Sequence, residues 1–156
     1  MCFTTFPSPL GPLLLISDGI SLTGLQIQAG EPQDRGLVRQ DDLPLFDAVR
    51  TWLKHYFAGD PQAVDFPISP AGTAFQQRIW NILRTIPWGS TITYGAIAGL
   101  LSRRMSARAV GQAVGKNPIA IIIPCHRCVG AKGRLTGYAW GPETKKWLLN
   151  HEEVSK

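Results

Sequence analysis

Residues 93–116 read TYGAIAGLLSRRMSARAVGQAVGK, and two short helical patterns lie within them. The first covers about residues 93–101 and the second about residues 106–116, with the polar and basic Ser102-Arg103-Arg104 between them. Two short helices joined by a turn are typical of a helix-turn-helix, whose second helix enters a groove of DNA. The sequence therefore predicts a helix-turn-helix at about residues 93–116.

The second of these helices is rich in small residues, which are Ala107, Ala109, Gly111, Ala113 and Gly115. Each glycine costs a helix ~1 kcal/mol relative to alanine, so the small side chains need a reason. They allow another backbone to approach closely, and both a neighbouring helix and a nucleic-acid groove fit this pattern. The groove is favoured by the basic residues nearby, which are Arg103, Arg104, Arg108 and Lys116.

The net charge of the 156-residue chain is +5, and it is unevenly distributed. Residues 1–70 contain four Lys and Arg against eight Asp and Glu, a net charge of −4, whereas residues 71–156 contain twelve against three, a net charge of +9. This separation is expected if only the second half meets a polyanion such as DNA. A basic face that is merely solvated would give the same charge.

The first 60 residues combine strand, loop and helix patterns. Residues 13–16 are apolar and lead into the turn Ser17-Asp18-Gly19, and residues 20–27 then alternate roughly, which predicts a hairpin. Residues 29–42 are polar and rich in turn formers, so we expect a loop there. From Leu45 to Phe57 apolar residues recur at steps of three and four, which predicts an amphipathic helix.

Residues 60–72 contain three prolines and a glycine and are the best candidate for a linker. A boundary near Pro70 divides the chain into domains 1–70 and 71–156. Beyond it, the capping-box spacing of Thr73 and Gln76 predicts a helix to about residue 85. The last helix is expected at about residues 143–152, after Gly141-Pro142.

Residues 119–123 are a β-branched run, IAIII, which predicts a strand buried on both faces. This strand would deliver Pro124-Cys125-His126-Arg127 at its end. A cysteine reacts as its thiolate, which cationic groups or a base favour, so Cys125 beside His126 is a candidate reactive centre. A buried structural cysteine is the common alternative.

The spacing of Cys125 and Cys128 also fits a redox or zinc motif. If these residues are extended, their Cα atoms lie about 10 Å apart, beyond the reach of a disulfide. Zinc would need further ligands, and the remaining His and Cys residues show no second paired spacing. We therefore expect neither a disulfide nor a metal here.

Three cysteines, an odd number, argue against a secreted disulfide framework. The N-terminus shows no signal-peptide pattern, and no segment approaches the ~18 consecutive apolar residues of a membrane span. We expect a cytoplasmic protein, nuclear in a eukaryote, with no membrane partner.

Eight motifs together closely resemble the O6-alkylguanine-DNA alkyltransferase family, and the match covers about residues 72–152. The most specific is PCHR at residues 124–127, followed by LTGY at 135–138. The others are GTAFQ at 72–76, IPWG at 86–89, TYG at 93–95, ARAVG at 107–111, NP at 117–118 and KWLL at 146–149. The resemblance implies an α+β fold with a small ribonuclease-H-like N-terminal domain and a mostly helical C-terminal domain that contains the helix-turn-helix.

The resemblance also implies a set of catalytic roles. Cys125 would accept the alkyl group, His126 would act on it through a water, and Glu152 would orient the imidazole. Asn117 would brace the turn before the reactive strand, and Tyr94 would donate to a ring nitrogen of the departing guanine. The product is a thioether, so each chain would act once, and no cofactor or metal is implied.

By the same resemblance the partner is double-stranded DNA that contains O6-alkylguanine, with O4-alkylthymine as a second candidate lesion, and the protein is a monomer. Arg108 would replace the extruded nucleotide while its helix lies in the minor groove. Thr136, Tyr138 and Trp140 would wall the substrate pocket. Two positions depart from the family: Cys128 replaces a usually aliphatic residue, and Trp140 replaces a residue that is small in some members.

Two interpretations from other classes of protein remain open. A helix-turn-helix regulator would explain the charge and the helices but not the Cys-His pair. A thiol oxidoreductase would explain the paired cysteines but not the basic helix.

Overall fold

The computed structural model describes residues 1–27 and 36–154. By their mutual contacts, the described residues form two compact units. The first comprises the described residues within Met1–Ala71 together with Pro118–Ala120, and the second comprises those within Gly72–Asn117 and Ile121–Lys156. The helices that lie within the described residues are too short or too polar to cross a membrane.

The first unit contains a four-stranded sheet of order β3-β2-β1-β4. Strands β1 (Cys2–Ser8), β2 (Gly11–Ser17) and β3 (Leu22–Ile27) are antiparallel neighbours. The predicted hairpin is confirmed by β2 and β3, and the Asp18 carboxylate caps its turn by accepting hydrogen bonds from the amides of Ile20 and Ser21. Strand β2 is buried on both faces, since Leu13 and Leu15 on one face are 0% exposed and Leu14 on the other is 1% exposed.

The loop predicted at residues 29–42 is wrong at Val38–Arg39, which form a short strand, β4, parallel to β1. The amide of Val38 donates to the carbonyl of Met1 at 3.1 Å, and the amide of Gln40 donates to that of Phe3 at 3.0 Å. Edge pairing of this kind needs only backbone groups, so the polar composition did not reveal it. Residues 29–35 lie outside the described part of the chain.

Helix α1 (Pro44–Phe57) completes the first unit and confirms the amphipathic prediction, with Phe46, Val49, Leu53 and Tyr56 buried. Its Arg50 donates to the Thr4 hydroxyl of β1 at 2.9 Å. Residues 118–120 also pair with this unit, because the amide of Leu25 donates to Pro118 O at 2.9 Å.

The second unit is mostly helical, and its α-helices follow the predicted ones within one or two residues. Its helices are α2 (Ala74–Leu83), α3 (Tyr94–Leu101), α4 (Ala107–Gly115) and α5 (Pro142–Val154), and its short parallel strands are β5 (Ile92–Thr93) and β6 (Cys128–Val129). The capping box of Thr73 and Gln76 is formed in full. Helices α3 and α4 begin after Thr93 and Ser106, whose hydroxyls accept amide hydrogen bonds, and they form the helix-turn-helix.

The strand predicted at residues 119–123 is wrong. Only Ile119 forms a bridge, to Leu25, and the chain then turns at Ile121, which has a φ of 69°. A positive φ is unfavourable for a β-branched residue, so the turn must be held by its surroundings. The prediction failed because a continuous apolar run reports burial, and residues 119–123 are indeed all buried, without reporting the direction of the backbone.

Candidate functional site

Cys125 begins a 3₁₀ helix, Cys125–Arg127, and does not end a strand as predicted. The Ile123 carbonyl fixes this turn by accepting two hydrogen bonds, from the Cys125 amide at 2.7 Å and from Asn117 Nδ2 at 2.9 Å. Asn117 is 4% exposed and also hydrogen-bonds the Cys125 thiol. One buried side chain therefore contacts both the turn and the sulfur.

The Cys125 thiol is 2% exposed, and this burial raises its pKa to about 11. The hydrogen bond from Asn117 and the Lys145 ammonium oppose the shift by favouring the thiolate. Burial has the larger effect, so the resting sulfur is protonated at neutral pH. A nucleophilic role then requires a base that removes the proton during the reaction.

His126 and Glu152 form a buried pair, in which His126 Nε2 lies 2.5 Å from Glu152 Oε2. Burial lowers the pKa of His126, so the imidazole is neutral near pH 7. Because the carboxylate can only accept, Nε2 carries the hydrogen and Nδ1 has the lone pair. Within the described residues Nδ1 is buried without a hydrogen-bond partner, which leaves it able to take up a proton.

Arg127 completes this arrangement from the other side of the carboxylate. Its Nε donates to Glu152 Oε1 at 2.7 Å, its Nη2 donates to Oε2 at 3.1 Å, and its Nη1 donates to Ile86 O at 2.7 Å. Burial alone would raise the pKa of Glu152, but His126 and Arg127 outweigh it and lower the pKa to about 2. Glu152 is thus ionised whenever the protein is folded at neutral pH.

Glu152→Gln is expected to reduce the acid sensitivity of the fold. The pKa of Glu152 falls from its usual 4.5 to about 2 in the folded chain. The ionised carboxylate therefore stabilises the fold fully above pH 4.5, and this stabilisation is lost as the pH falls from 4.5 toward 2. Complete loss corresponds to about 3 kcal/mol at ~1.4 kcal/mol per pKa unit. The measurement is urea unfolding of both proteins across this pH window.

The control for this prediction is Glu153→Gln, which changes the exposed neighbour of Glu152 on the same helix. It should follow the wild-type pH dependence. Parallel loss of stability in wild type and Glu152→Gln on acidification would contradict the assignment of an ionised, buried carboxylate at Glu152.

A second cluster surrounds Lys145, which is fully buried. Its Nζ donates to Thr136 O at 3.0 Å and to the Tyr94 hydroxyl at 3.3 Å, while that hydroxyl donates to Thr136 O at 2.6 Å. Burial raises the pKa of Tyr94 to about 12 and lowers that of Lys145. Gly137 is needed beside this cluster, because its φ is 72° and a Cβ there would lie 3.1 Å from the Tyr94 hydroxyl.

Lys145 has no role predicted from the sequence, and Arg127 is there only a cation next to the Cys-His pair. The signal for Lys145 was its spacing from Leu148 and Glu152, since residues three and seven positions apart share one face of a helix. All three are buried on α5. A lysine on the buried face of a helix indicates either a buried hydrogen-bond partner or a role in the site.

The predicted pocket residues lie on the loop that follows the second 3₁₀ helix, Ala131–Gly133. Tyr138 and Trp140 are half-buried and meet edge to face, with ring centroids 5.4 Å apart, and Thr136 is exposed. The Lys145 ammonium lies 5.9 Å from the Tyr138 ring centroid. The structure therefore brings Tyr94, Thr136 and Tyr138 together around Lys145, with Trp140 beside Tyr138.

The predicted DNA-binding residues lie on the helix-turn-helix. The side chains of Arg103, Arg104, Ala107, Arg108 and Lys116 are exposed, and Ala109 and Gly111 are half-buried.

Only part of the small-residue pattern of α4 is explained by packing within the chain. Ala113 is buried, and its carbonyl accepts from Trp80 Nε1 at 2.9 Å. A Cβ at Gly111 would lie 3.7 Å from the Tyr94 ring and one at Gly115 would lie 3.6 Å from Gly137 O, both ordinary contacts. The glycines of α4 are therefore not required by these neighbours.

Two family models match the chain. The model described as "6-O-methylguanine DNA methyltransferase, ribonuclease-like domain" matches residues 1–70, and the one described as "6-O-methylguanine DNA methyltransferase, DNA binding domain" matches residues 74–154. The chain belongs to the 6-O-methylguanine DNA methyltransferase family. The family and the α+β fold expected from the sequence are thereby confirmed, whereas the domain limits 1–70 and 71–156 stay a prediction.

Relatives of this family match nearly the whole chain. A protein of Haemophilus influenzae named "Methylated-DNA--protein-cysteine methyltransferase" is 44% identical over 97% of this chain and 86% of its own length. One of Methanosarcina acetivorans with the same name is 42% identical over 97% of this chain and 98% of its own. The crystal structure of Mycobacterium tuberculosis OGT in complex with DNA superposes with a TM-score of 0.89 at 42% identity, covering 99% of this chain and 94% of that one.

Proposed function

We propose that this protein repairs O6-alkylguanine in double-stranded DNA by transferring the alkyl group irreversibly to Cys125. The observation that carries the proposal is the buried set of Cys125, His126 and Glu152, in which His126 Nδ1 is able to accept a proton. The chain that contains this set belongs to the 6-O-methylguanine DNA methyltransferase family. O4-alkylthymine is a second candidate lesion. Because the acceptor must remain a free thiol, we expect the protein to act in a reducing compartment such as the cytoplasm.

The thiolate forms by proton transfer from Cys125 to His126 Nδ1, through a water. Glu152 fixes the tautomer of His126 that presents the Nδ1 lone pair, and it stabilises the imidazolium that results. Other activated nucleophiles likewise have a base that a third group orients. Asn117 and Lys145 favour the thiolate once it exists. Arg127 positions the carboxylate and does not touch the sulfur in this scheme.

The sulfur then attacks the saturated carbon of the alkyl group, so a C–S bond forms while the bond from carbon to guanine O6 breaks. The electron pair passes to the base, which takes a proton from the Tyr94 hydroxyl at a ring nitrogen. Tyr94 must leave Thr136 O to do so, and Lys145 Nζ, 3.3 Å from its oxygen, is positioned to replace the proton. The thioether does not exchange as a disulfide does, so each chain acts once.

DNA binding is assigned to the helix-turn-helix. Its exposed Arg103, Arg104 and Lys116 would contact phosphates, whereas Arg108, near the start of α4, would fill the space of the extruded nucleotide. The small residues Ala107, Ala109 and Gly111 would let the backbone of α4 approach the minor groove. Close approach to the groove accounts for Gly111, which packing inside the chain does not require.

The direct test is the intact mass of the chain after mixing with a duplex that contains O6-methylguanine. Transfer adds one methyl group in place of a hydrogen, about 14 Da, to each chain. A helix-turn-helix regulator without chemistry would bind the duplex and show no change in mass.

Trp140 is expected to restrict the size of the alkyl group. Its ring packs on Tyr138 within the loop that would wall the pocket, where an indole occupies volume that a benzyl group needs. Trp140→Gly should therefore raise the ratio of benzyl to methyl transfer rates by roughly tenfold, since relief of overpacking is worth ~1–3 kcal/mol. The two rates are measured by single-turnover kinetics with matched duplexes.

The control variant is Trp147→Phe. Trp147 lies outside this loop, and its ring stacks on His151. It should leave the benzyl-to-methyl ratio unchanged. An unchanged ratio in Trp140→Gly would mean that the indole does not limit the pocket.

A further inference from the structure

Cys128 has no part in the proposed repair reaction, although it is buried three residues after Cys125. The expected 10 Å separation from Cys125 assumed an extended backbone. The structure contradicts that assumption, because residues 125–127 form a 3₁₀ helix and the Cys128 amide donates to Cys125 O. The objection to a bond between the two sulfurs is thereby removed.

The geometry of this turn suits a disulfide. Residues closed by such a hydrogen bond have Cα atoms less than ~7 Å apart, and a disulfide needs about 4.4–6.8 Å. The two thiols also act on each other electrostatically, since, besides burial, Cys125 raises the pKa of Cys128, as expected of sulfurs in one neighbourhood. Cys128 is held there by pairing of β6 with Ile92 in β5.

Both thiols share one buried environment. Cys125 is 2% exposed and Cys128 is 0% exposed, and the Lys145 ammonium favours the thiolate of each. Cys2 is differently placed, on β1 of the first unit, where its Sγ lies 3.6 Å from Ser17 O. The three cysteines are free in this structure, so the pair is present in its reduced form.

We propose that Cys125 and Cys128 form a reversible disulfide when the DNA-free protein meets a hydroperoxide, with Cys128 as the resolving thiol. This inference rests on the proposed function in one respect, namely that the Cys125 sulfur can be reached and activated as a nucleophile. Cys128 itself needs no access to solvent, because its reaction is with a sulfur of the same turn.

The oxidation has two steps. The Cys125 thiolate attacks the peroxide, so an S–O bond forms, the O–O bond breaks and hydroxide or alkoxide leaves, which gives a sulfenic acid. The Cys128 sulfur then attacks the Cys125 sulfur, so the S–S bond forms, the S–O bond breaks, and water leaves with the Cys128 proton. Cys125 and Cys128 are together oxidised by two electrons, the peroxide is reduced, and a dithiol reverses the change.

The benefit of this bond follows from single use. A sulfenic acid left unprotected proceeds to sulfinic and sulfonic acids, which a thiol cannot reduce. An acceptor oxidised that far would be lost without having repaired any lesion. Capture by Cys128 would keep the sulfur in a state from which reduction restores it.

The test is intact mass of the DNA-free protein after brief treatment with hydrogen peroxide, followed by peptide mapping. We expect a loss of about 2 Da, the two thiol hydrogens, and a cross-link between Cys125 and Cys128. The oxidised protein should take up no methyl group from the duplex, and dithiothreitol should restore both the mass and full uptake. A gain of about 32 Da at Cys125 with Cys128 still reduced would overturn the proposal.

Cys128→Val provides the matched variant, because it removes the thiol and keeps a small apolar side chain at this buried position. It should transfer methyl as the wild type does but lose that capacity permanently in peroxide, with added oxygen on Cys125. Cys2→Ser should behave as wild type, and a 2 Da loss that persists in Cys128→Val would overturn the assignment. Failure of the repair function is separately visible, as a reduced protein that takes up no methyl group yet still forms the cross-link.

Discussion

Cys125→Ser is expected to abolish methyl transfer completely. A serine hydroxyl is a much weaker nucleophile toward a saturated carbon than a thiolate, and the neighbouring His126 and Glu152 cannot accept the methyl group in its place. The wild type should gain one methyl mass per chain and stop there, even with excess duplex. The variant should gain none, while still binding the duplex.

Cys128→Ser and Cys2→Ser serve as controls, and both should take up one methyl group at Cys125. The site is located by peptide mapping of the alkylated chain. Methylation at Cys2 or Cys128 in the wild type, or several repaired guanines for each protein molecule, would contradict the single-acceptor mechanism.

Arg108→Ala is expected to slow repair in duplex DNA by about 10²-fold and to change reaction with the free modified base far less. Extrusion of a nucleotide costs a few kcal/mol, and each ~1.4 kcal/mol is a factor of ten in rate. Only the duplex reaction includes that cost, so only it needs a side chain that occupies the vacated space. The two rates are compared under single-turnover conditions at saturating duplex.

Arg104→Ala is the matched control, since it removes an equal charge from an exposed position in the same helix-turn-helix. It should weaken duplex binding and its salt dependence without slowing the saturated reaction. Equal slowing of the duplex and free-base reactions in Arg108→Ala would show that Arg108 contributes to the fold or to the general charge.

Much of the second unit could be predicted from local rules. The box of Thr73 and Gln76, and the hydroxyls of Thr93 and Ser106, mark helix starts through bonds that span only three residues. Turns held by distant groups could not be found this way. The positive φ of Ile121 depends on buried surroundings that no local pattern reports.

The residues of the candidate site also differ in whether local sequence reveals them. Cys125 and His126 are adjacent, so their chemistry is visible in the sequence, whereas Glu152 is 26 residues from His126 and was reached only through the family resemblance. Arg127 and Lys145 acquire their roles from tertiary contacts with Glu152 and with Tyr94. In the sequence Arg127 was visible only as a cation near Cys125, and the residue type of Lys145 indicated no role.

Helix α5 carries both Lys145 and Glu152, one contacting Tyr94 and the other contacting His126. Seven residues of helix rise by ~10.5 Å and complete nearly two turns, so one rigid element determines the spacing between the proposed proton donor, Tyr94, and the proposed proton acceptor, His126. The constraint on the intervening segment is therefore its length more than its composition. Substitutions at exposed Lys146 and Asn150 leave that spacing intact. A one-residue insertion or deletion between them would rotate one of the two side chains by about 100° around the helix axis, so either Lys145 would lose Tyr94 or Glu152 would lose His126.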